Sequence, residues 1–195
     1  MGLTSLTDSA APLAPDLQAA LLNLARESIG FGLQHARPLA TAPDAFPPVL
    51  REFRASFVTL KKAGALRGCI GSLEAYRPLA IDVAENAFAA AFRDPRFPPV
   101  GAHELDALEL QLSLLTPAEP MTVRSEDDLL DQLRPGEDGL ILQEGGRRAT
   151  FLPSVWESLP EPDQFLRHLK RKAGLPEDYW SDALQVFRYA TEHIP

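Results

Sequence analysis

The stretch "FRASFVTLKKAGALRGCIGSLE" runs from Phe53 to Glu74. Phe53, Ala55, Phe57 and Thr59 alternate with Arg54, Ser56, Val58 and Leu60, which is the two-residue period of a strand. The segment "KKAGA" turns the chain, and Leu66 to Ser72 returns, so the stretch reads as a β-hairpin. Strict alternation in the return strand sets Arg67 and Cys69 on one face and Ile70 on the other. Gly68 and Gly71 weaken a strand, and the usual reason for tolerating them is the close approach of another backbone or a ligand.

Upstream, Asp16 opens "DLQAALLNLARESIGFGLQHA", where Leu17, Leu21, Leu24 and Ser28 recur at helical spacing. This predicts a helix to about His35, capped by Asp16. The prolines of "ARPLATAPDAFPPVLRE" predict an extended surface connection. Downstream, Pro78 suits the first turn of a helix with an apolar stripe of Leu79, Val83, Ala84, Ala87, Phe88, Ala91 and Phe92. "PRFPP" stops it. "LELQLSLL" then sets Leu108, Leu110, Leu112 and Leu114 on one face of a half-buried strand.

The second half follows the same order. "GLILQEGGRRATFLP" is a hairpin turning at Gly145-Gly146. "DQFLRHLKRKAGL" is a helix with Phe165, Leu166 and Leu169 inside and Gly174 as its stop. "ALQVFRYATEH" is a closing strand. Hairpin, helix and strand thus occur over about 53–115 and again over about 139–193, although the residues barely match. The expectation is an α+β fold in which two hairpin-helix-strand structural repeats share one mainly antiparallel, barrel-like sheet flanked by helices. Residues 1–15 are expected to be a flexible N-terminal tail. Residues 16–195 form a single domain, undivided or in two lobes.

The chain has 195 residues, 45% hydrophobic and 24% charged, the balance of a soluble globular protein that buries a core without staples. A net charge of −8 argues against broad binding to nucleic acid. The basic run Arg167, His168, Lys170, Arg171 and Lys172 reads as the exposed side of a helix. A lone cysteine excludes an internal disulfide and a cysteine-cluster zinc site, and fits a reducing cytoplasm. No apolar run has the length of a bilayer span, so no membrane role is expected. Histidines 35, 103, 168 and 193 lack metal-ligand spacing, so no metal site is assigned. Nucleotide-binding glycine loops and a GxSxG elbow are likewise absent from the sequence.

Chemistry concentrates around Cys69. A guanidinium beside a thiol favours the thiolate, its reactive form. The reading is a cleft beside the Arg67–Gly71 strand, with Arg67 as anchor for an anionic or carbonyl group. Gly68 and Gly71 leave room, Asp82, Glu85, Asn86, Asp94 and Arg96 supply polar contacts, and Cys69 lines the site or acts as a catalytic nucleophile. The bland readings are that Cys69 is packed and that Asp94 and Arg96 merely hold a helix-stop turn. A non-enzymatic protein-interaction module and a nucleic-acid-associated regulator are the alternatives.

Several blocks, taken in order, resemble the AMMECR-one family, whose prokaryotic branch is called AmmeMemoRadiSam system protein A. They are the intact Leu66-Arg67-Gly68-Cys69-Ile70-Gly71, "DPRFPP" from Asp94 to Pro99, "LLTP" from Leu114 to Pro117, "DGLILQEGGRRATFLPSVWE" and "FLRHLKRKAGL". The resemblance runs from about Asp16 to His193. It implies an α+β fold with two repeats in one barrel-like sheet, in a cytoplasmic protein. It further implies association with a Memo-like protein and a radical S-adenosylmethionine protein in a modification pathway; the small-molecule or peptide ligand is the expectation of the cleft itself. It assigns no firm activity and no cofactor. Many relatives carry a second cysteine in the helix before "KAGL"; here Leu169 and Lys170 stand there, so a two-cysteine role does not operate in this chain.

Overall fold

The computed structural model describes residues 12–195. Two compact units emerge, one reaching Thr116 and including Glu192–Pro195, the other Pro117–Thr191. Each has its own apolar core. The tail expected over residues 1–15 falls mainly outside the described residues. Its described end is anchored: Leu13 is buried and its N–H donates to Glu192 at 2.7 Å.

In the first unit, helix α1 (Pro15–His35) packs against helix α3 (Leu79–Phe92). Pro15 takes the first helical position, where its missing N–H costs nothing. Asp16 is therefore not the cap expected of it; it lies inside the first turn, where a carboxylate complements the helix dipole. The buried Ser28 hydroxyl donates to the Ala84 carbonyl of α3 at 2.7 Å, so the polar residue in the stripe of α1 is satisfied across the helix pair. The Pro-rich connection is not wholly extended. It holds one 3₁₀ turn and a one-turn helix, α2 (Pro48–Arg51), which buries Leu50.

The predicted hairpin forms as β1 (Ser56–Lys62) and β2 (Ala65–Gly71), with β3 (Leu108–Leu115) on the other side of β1. Ser56, Val58 and Leu60 of β1, and Leu108, Leu110, Leu112 and Leu114 of β3, point into the core under α1 and α3. Alanines 80, 84, 87, 90 and 91 of α3 are buried, and such small side chains let this helix lie close to the sheet.

The second unit repeats the plan with β5 (Gly139–Glu144), β6 (Arg147–Phe151), α5 (Pro162–Lys172) and β7 (Gln185–Tyr189). A two-residue strand β4 (Glu119–Pro120) and a short helix α4 (Glu126–Gln132), which the sequence pattern had not shown, complete it. Gly174 takes φ +73 just past α5, as its reading as a stop requires. Trp156 stacks on Phe165, ring centroids 3.8 Å apart, at the centre of the core. The basic run on α5 is not wholly exposed: Lys170 is fully buried, and its ammonium meets Glu126 of α4 at 2.8 Å.

The α+β class and the two hairpin-helix-strand repeats hold, but the single barrel-like sheet does not. Among the described residues there are two four-stranded sheets, ordered β2-β1-β3-β8, with β8 at Thr191–Ile194, and β4-β7-β5-β6. The predicted closing strand divides at Ala190. Its first part is β7, and its second, β8 (Thr191–Ile194), joins the other sheet. Each sheet thus consists of a hairpin, the strand after the repeat's helix, and a fourth strand that follows the other repeat in sequence.

Candidate functional site

Strand β2 is an edge strand, and its register explains its side chains. Leu60 pairs with Gly68 and Lys61 with Leu66, so Arg67 is the extra residue of a β-bulge. Strict alternation fails there, and Leu66 rather than Arg67 shares a face with Cys69. The Arg67 side chain runs to Glu104, bonding it through Nε and Nη2 at 3.2 and 2.9 Å. Arg67 also donates to the carbonyls of Pro98 and Pro99 at 2.8 and 3.4 Å. Glu104 accepts further from Lys62 at 2.8 Å and from the Gly101 N–H at 3.0 Å. Arg67 first, then the Gly101 N–H and Lys62, hold this carboxylate well below its usual range.

The cation beside the thiol is Arg96. It grips Asp94 through Nε and Nη2 at 2.9 and 2.7 Å, and Nη2 also donates to the Cys69 carbonyl at 3.2 Å. Asp94, 4% exposed, accepts the Cys69 N–H at 2.9 Å. The two side chains of the "DPR" turn therefore supply the N–H and C=O partners that a neighbouring strand would give an edge residue. Arg96 in particular keeps the Asp94 carboxyl well below the carboxylate range, against the opposing effect of burial. Asp94, and after it Cys69, raise Arg96 in turn. Over half of the Arg96 side chain remains exposed.

Cys69 itself is half-buried, and the Thr59 hydroxyl across the ladder donates to Sγ at 3.4 Å. Gln111 continues that row on β3. One row along, Phe57 pairs with Gly71 and Ser113, and the Ser113 hydroxyl meets His193 Nδ1 at 3.0 Å. The two glycines have separate reasons. A Cβ on Gly68 would lie 2.2 Å from the Ala90 carbonyl oxygen of α3, and one on Gly71 would lie 2.3 Å from the Phe57 ring. Gly68 thus admits a helix backbone and Gly71 an aromatic ring.

Asp82 and Asn86 sit elsewhere, in a buried network. Asp82, 1% exposed, accepts from Ser56 N–H and Oγ at 2.8 and 2.6 Å, from Ser72 Oγ at 2.9 Å and from Arg77 Nε at 2.7 Å. Asn86 donates to Asp82 at 2.9 Å and to the Ser56 carbonyl at 3.0 Å. Every acceptor of this carboxylate is used, which is what keeps a buried charge tolerable. Half-buried Glu85 joins neither group. The structure therefore brings Cys69, Asp94 and Arg96 together, and separates from them Arg67 with Glu104 and Asp82 with Asn86. Sequence reasoning missed Thr59, Glu104, Lys62, Arg77, Ser56 and Ser72. Ladder register would have found Thr59, but nothing local marks Glu104.

Among the described residues no cluster of histidine, cysteine and carboxylates could hold a metal ion, and no helix is long and apolar enough to cross a membrane. Comparison with known proteins adds relatives along nearly the whole chain. A protein of Methanothermobacter thermautotrophicus is 40% identical over 188 residues, covering 93% of this chain and 95% of that one. One of Thermotoga maritima is 42% identical over 139 residues, 70% of this chain and 75% of its own length. The crystal structure of the uncharacterized protein PH0010 from Pyrococcus horikoshii superposes with a TM-score of 0.79 at 33% identity, over 93% of this chain and 92% of that one. The AMMECR1 family model matches residues 22–194, and the chain belongs to that family.

Proposed function

We propose that the face of β2 and β1 bearing Cys69 is a ligand or substrate site, with Arg96 as its cationic group. The supporting observation is the way Asp94 and Arg96 hold the Cys69 backbone while the thiol stays half-buried beside a half-exposed guanidinium. Arg67, the first expectation for an anion anchor, spends its donors on Glu104 and two proline carbonyls. It serves by fixing the turn that carries Arg96. Phe57 over Gly71 gives the site an apolar wall, and Thr59 and Gln111 give it polar contacts. A small molecule or extended peptide with an anionic or carbonyl group matches these surfaces. The association with Memo-like and radical S-adenosylmethionine proteins remains part of this proposal through the family alone.

Alkylation of the folded protein by iodoacetamide, followed by mass spectrometry, tests it. Cys69 is expected to react without denaturant, and Arg96→Ala to change the rate several-fold with the fold intact. A thiol that reacts only after unfolding would make Cys69 a packing residue and end the reading.

A further inference from the structure

A second place in the first unit has the form of a binding site. A hollow of about 420 Å³ opens between the carboxyl ends of α1 and α3, lined by Gly32, Leu33, Phe88, Phe92, Arg93 and Val100 together with Ala36 and Pro99. The lining is almost wholly apolar, and its size suits a small ligand. Gly32 sets the depth, since a Cβ there would lie 2.5 Å from the Phe92 ring.

Charge distinguishes this hollow from an ordinary packing gap. Arginines 26, 51, 54, 67, 77 and 96 of this unit each bond a carboxylate or a backbone carbonyl. Among the described residues the side chains of Arg93 and Arg37 do neither. Arg93 lines the hollow and rests over the Phe88 ring at 4.9 Å. Arg37 follows the lining residue Ala36 and rests over Phe31 at 4.9 Å. Helix C-termini attract cations, which accounts for two arginines here. It does not account for an open apolar hollow beside Arg93 in a chain of net charge −8.

We infer that this hollow binds a small apolar molecule carrying one anionic group, its chain on Phe88, Phe92 and Leu33 and its anion on Arg93, with Arg37 adding attraction. The inference is independent of the Cys69 site. Arg93 Cζ lies 4.9 Å from the Phe88 ring and, among the described residues, its side-chain donors are unused, so it can bond the anion.

Octanoate, 1-octanol and inorganic phosphate, titrated into the full chain and followed by amide NMR shifts, test it. Octanoate is expected to give saturable shifts at Gly32, Ala36 and Val100, with about tenfold weaker binding of octanol and none of phosphate. Arg37→Ala combined with Arg93→Ala should cut octanoate affinity about tenfold and leave octanol unchanged. Leu33→Trp, which fills the hollow, should abolish both at an unchanged melting temperature. Absence of saturable shifts with octanoate, shifts confined to other surfaces, or equal binding of octanoate and octanol would overturn it.

Discussion

At the scale of single residues, the carboxylates around the edge strand carry the clearest physical consequence. Asp94 and Glu104 are each held below the ordinary range by a bonded guanidinium. A depressed folded pKa stabilises the fold fully above the unfolded value, near 4, and the benefit fades as pH falls from there toward the folded value. Asp94→Asn is therefore expected to be less stable than the parent at pH 7, and the gap in unfolding free energy should narrow by about 1 kcal/mol at pH 3. Urea titrations at both pH values check it, and an unchanged gap would show that the Asp94–Arg96 pair is not what its geometry indicates. The sequence named both partners, but it could not show that their hydrogen bonds end on the backbone of Cys69.

Elements meet most tightly where α3 passes β2. Gly68 faces the Ala90 carbonyl with no room for a methyl group, and backbone atoms cannot swing aside as a flexible side chain can. Gly68→Ala should destabilise the protein by about 2 kcal/mol or more, as forced overpacking does, read from the chemical-denaturation midpoint. A loss within about 0.5 kcal/mol would mean the helix yields easily. Gly71→Ala presses on the Phe57 ring, which lies among the proposed ligand contacts. The sequence demanded a reason for both glycines, and two different neighbours supply it. The bulge at Arg67 also belongs to this scale. One unpaired residue takes the guanidinium away from the thiol and brings Leu66 to its face, and no periodicity in the sequence reports that.

For the whole molecule, the notable feature is that the chain's last strand completes the sheet nearest its beginning. Ile194 is 1% exposed in the first unit's core. Glu192 accepts from the Leu13 N–H and the Gln18 amide and pairs with Arg54 at 3.1 Å. Removing Glu192–Pro195 deletes a core side chain and leaves Arg54 nearly buried without its carboxylate. Amide exchange in β3 is expected to accelerate at least about tenfold in the truncated chain. Protection equal to that of the full chain would show that β8 contributes no stability to the sheet.

Local structure and the class of fold were legible in the pattern of neighbouring residues. Two-residue alternation specified the first hairpin and β3, the Gly145-Gly146 turn marked the second hairpin, and helical spacing of apolar residues specified α1, α3 and α5. Their order specified an α+β chain built twice on one plan, because each pattern is written in neighbouring residues. Tertiary structure alone decided which sheet receives β4 and β8, since one continuous run of strand-forming residues can divide at Ala190 and pair with strands far away in sequence. It alone decided that Glu104 receives Arg67, that Asp82 is buried with Ser56, Ser72 and Arg77, and that Arg96 lies beside Cys69. Those partners stand up to 37 residues apart. A charge's partner across such a distance is set by register and packing, which no local spacing encodes.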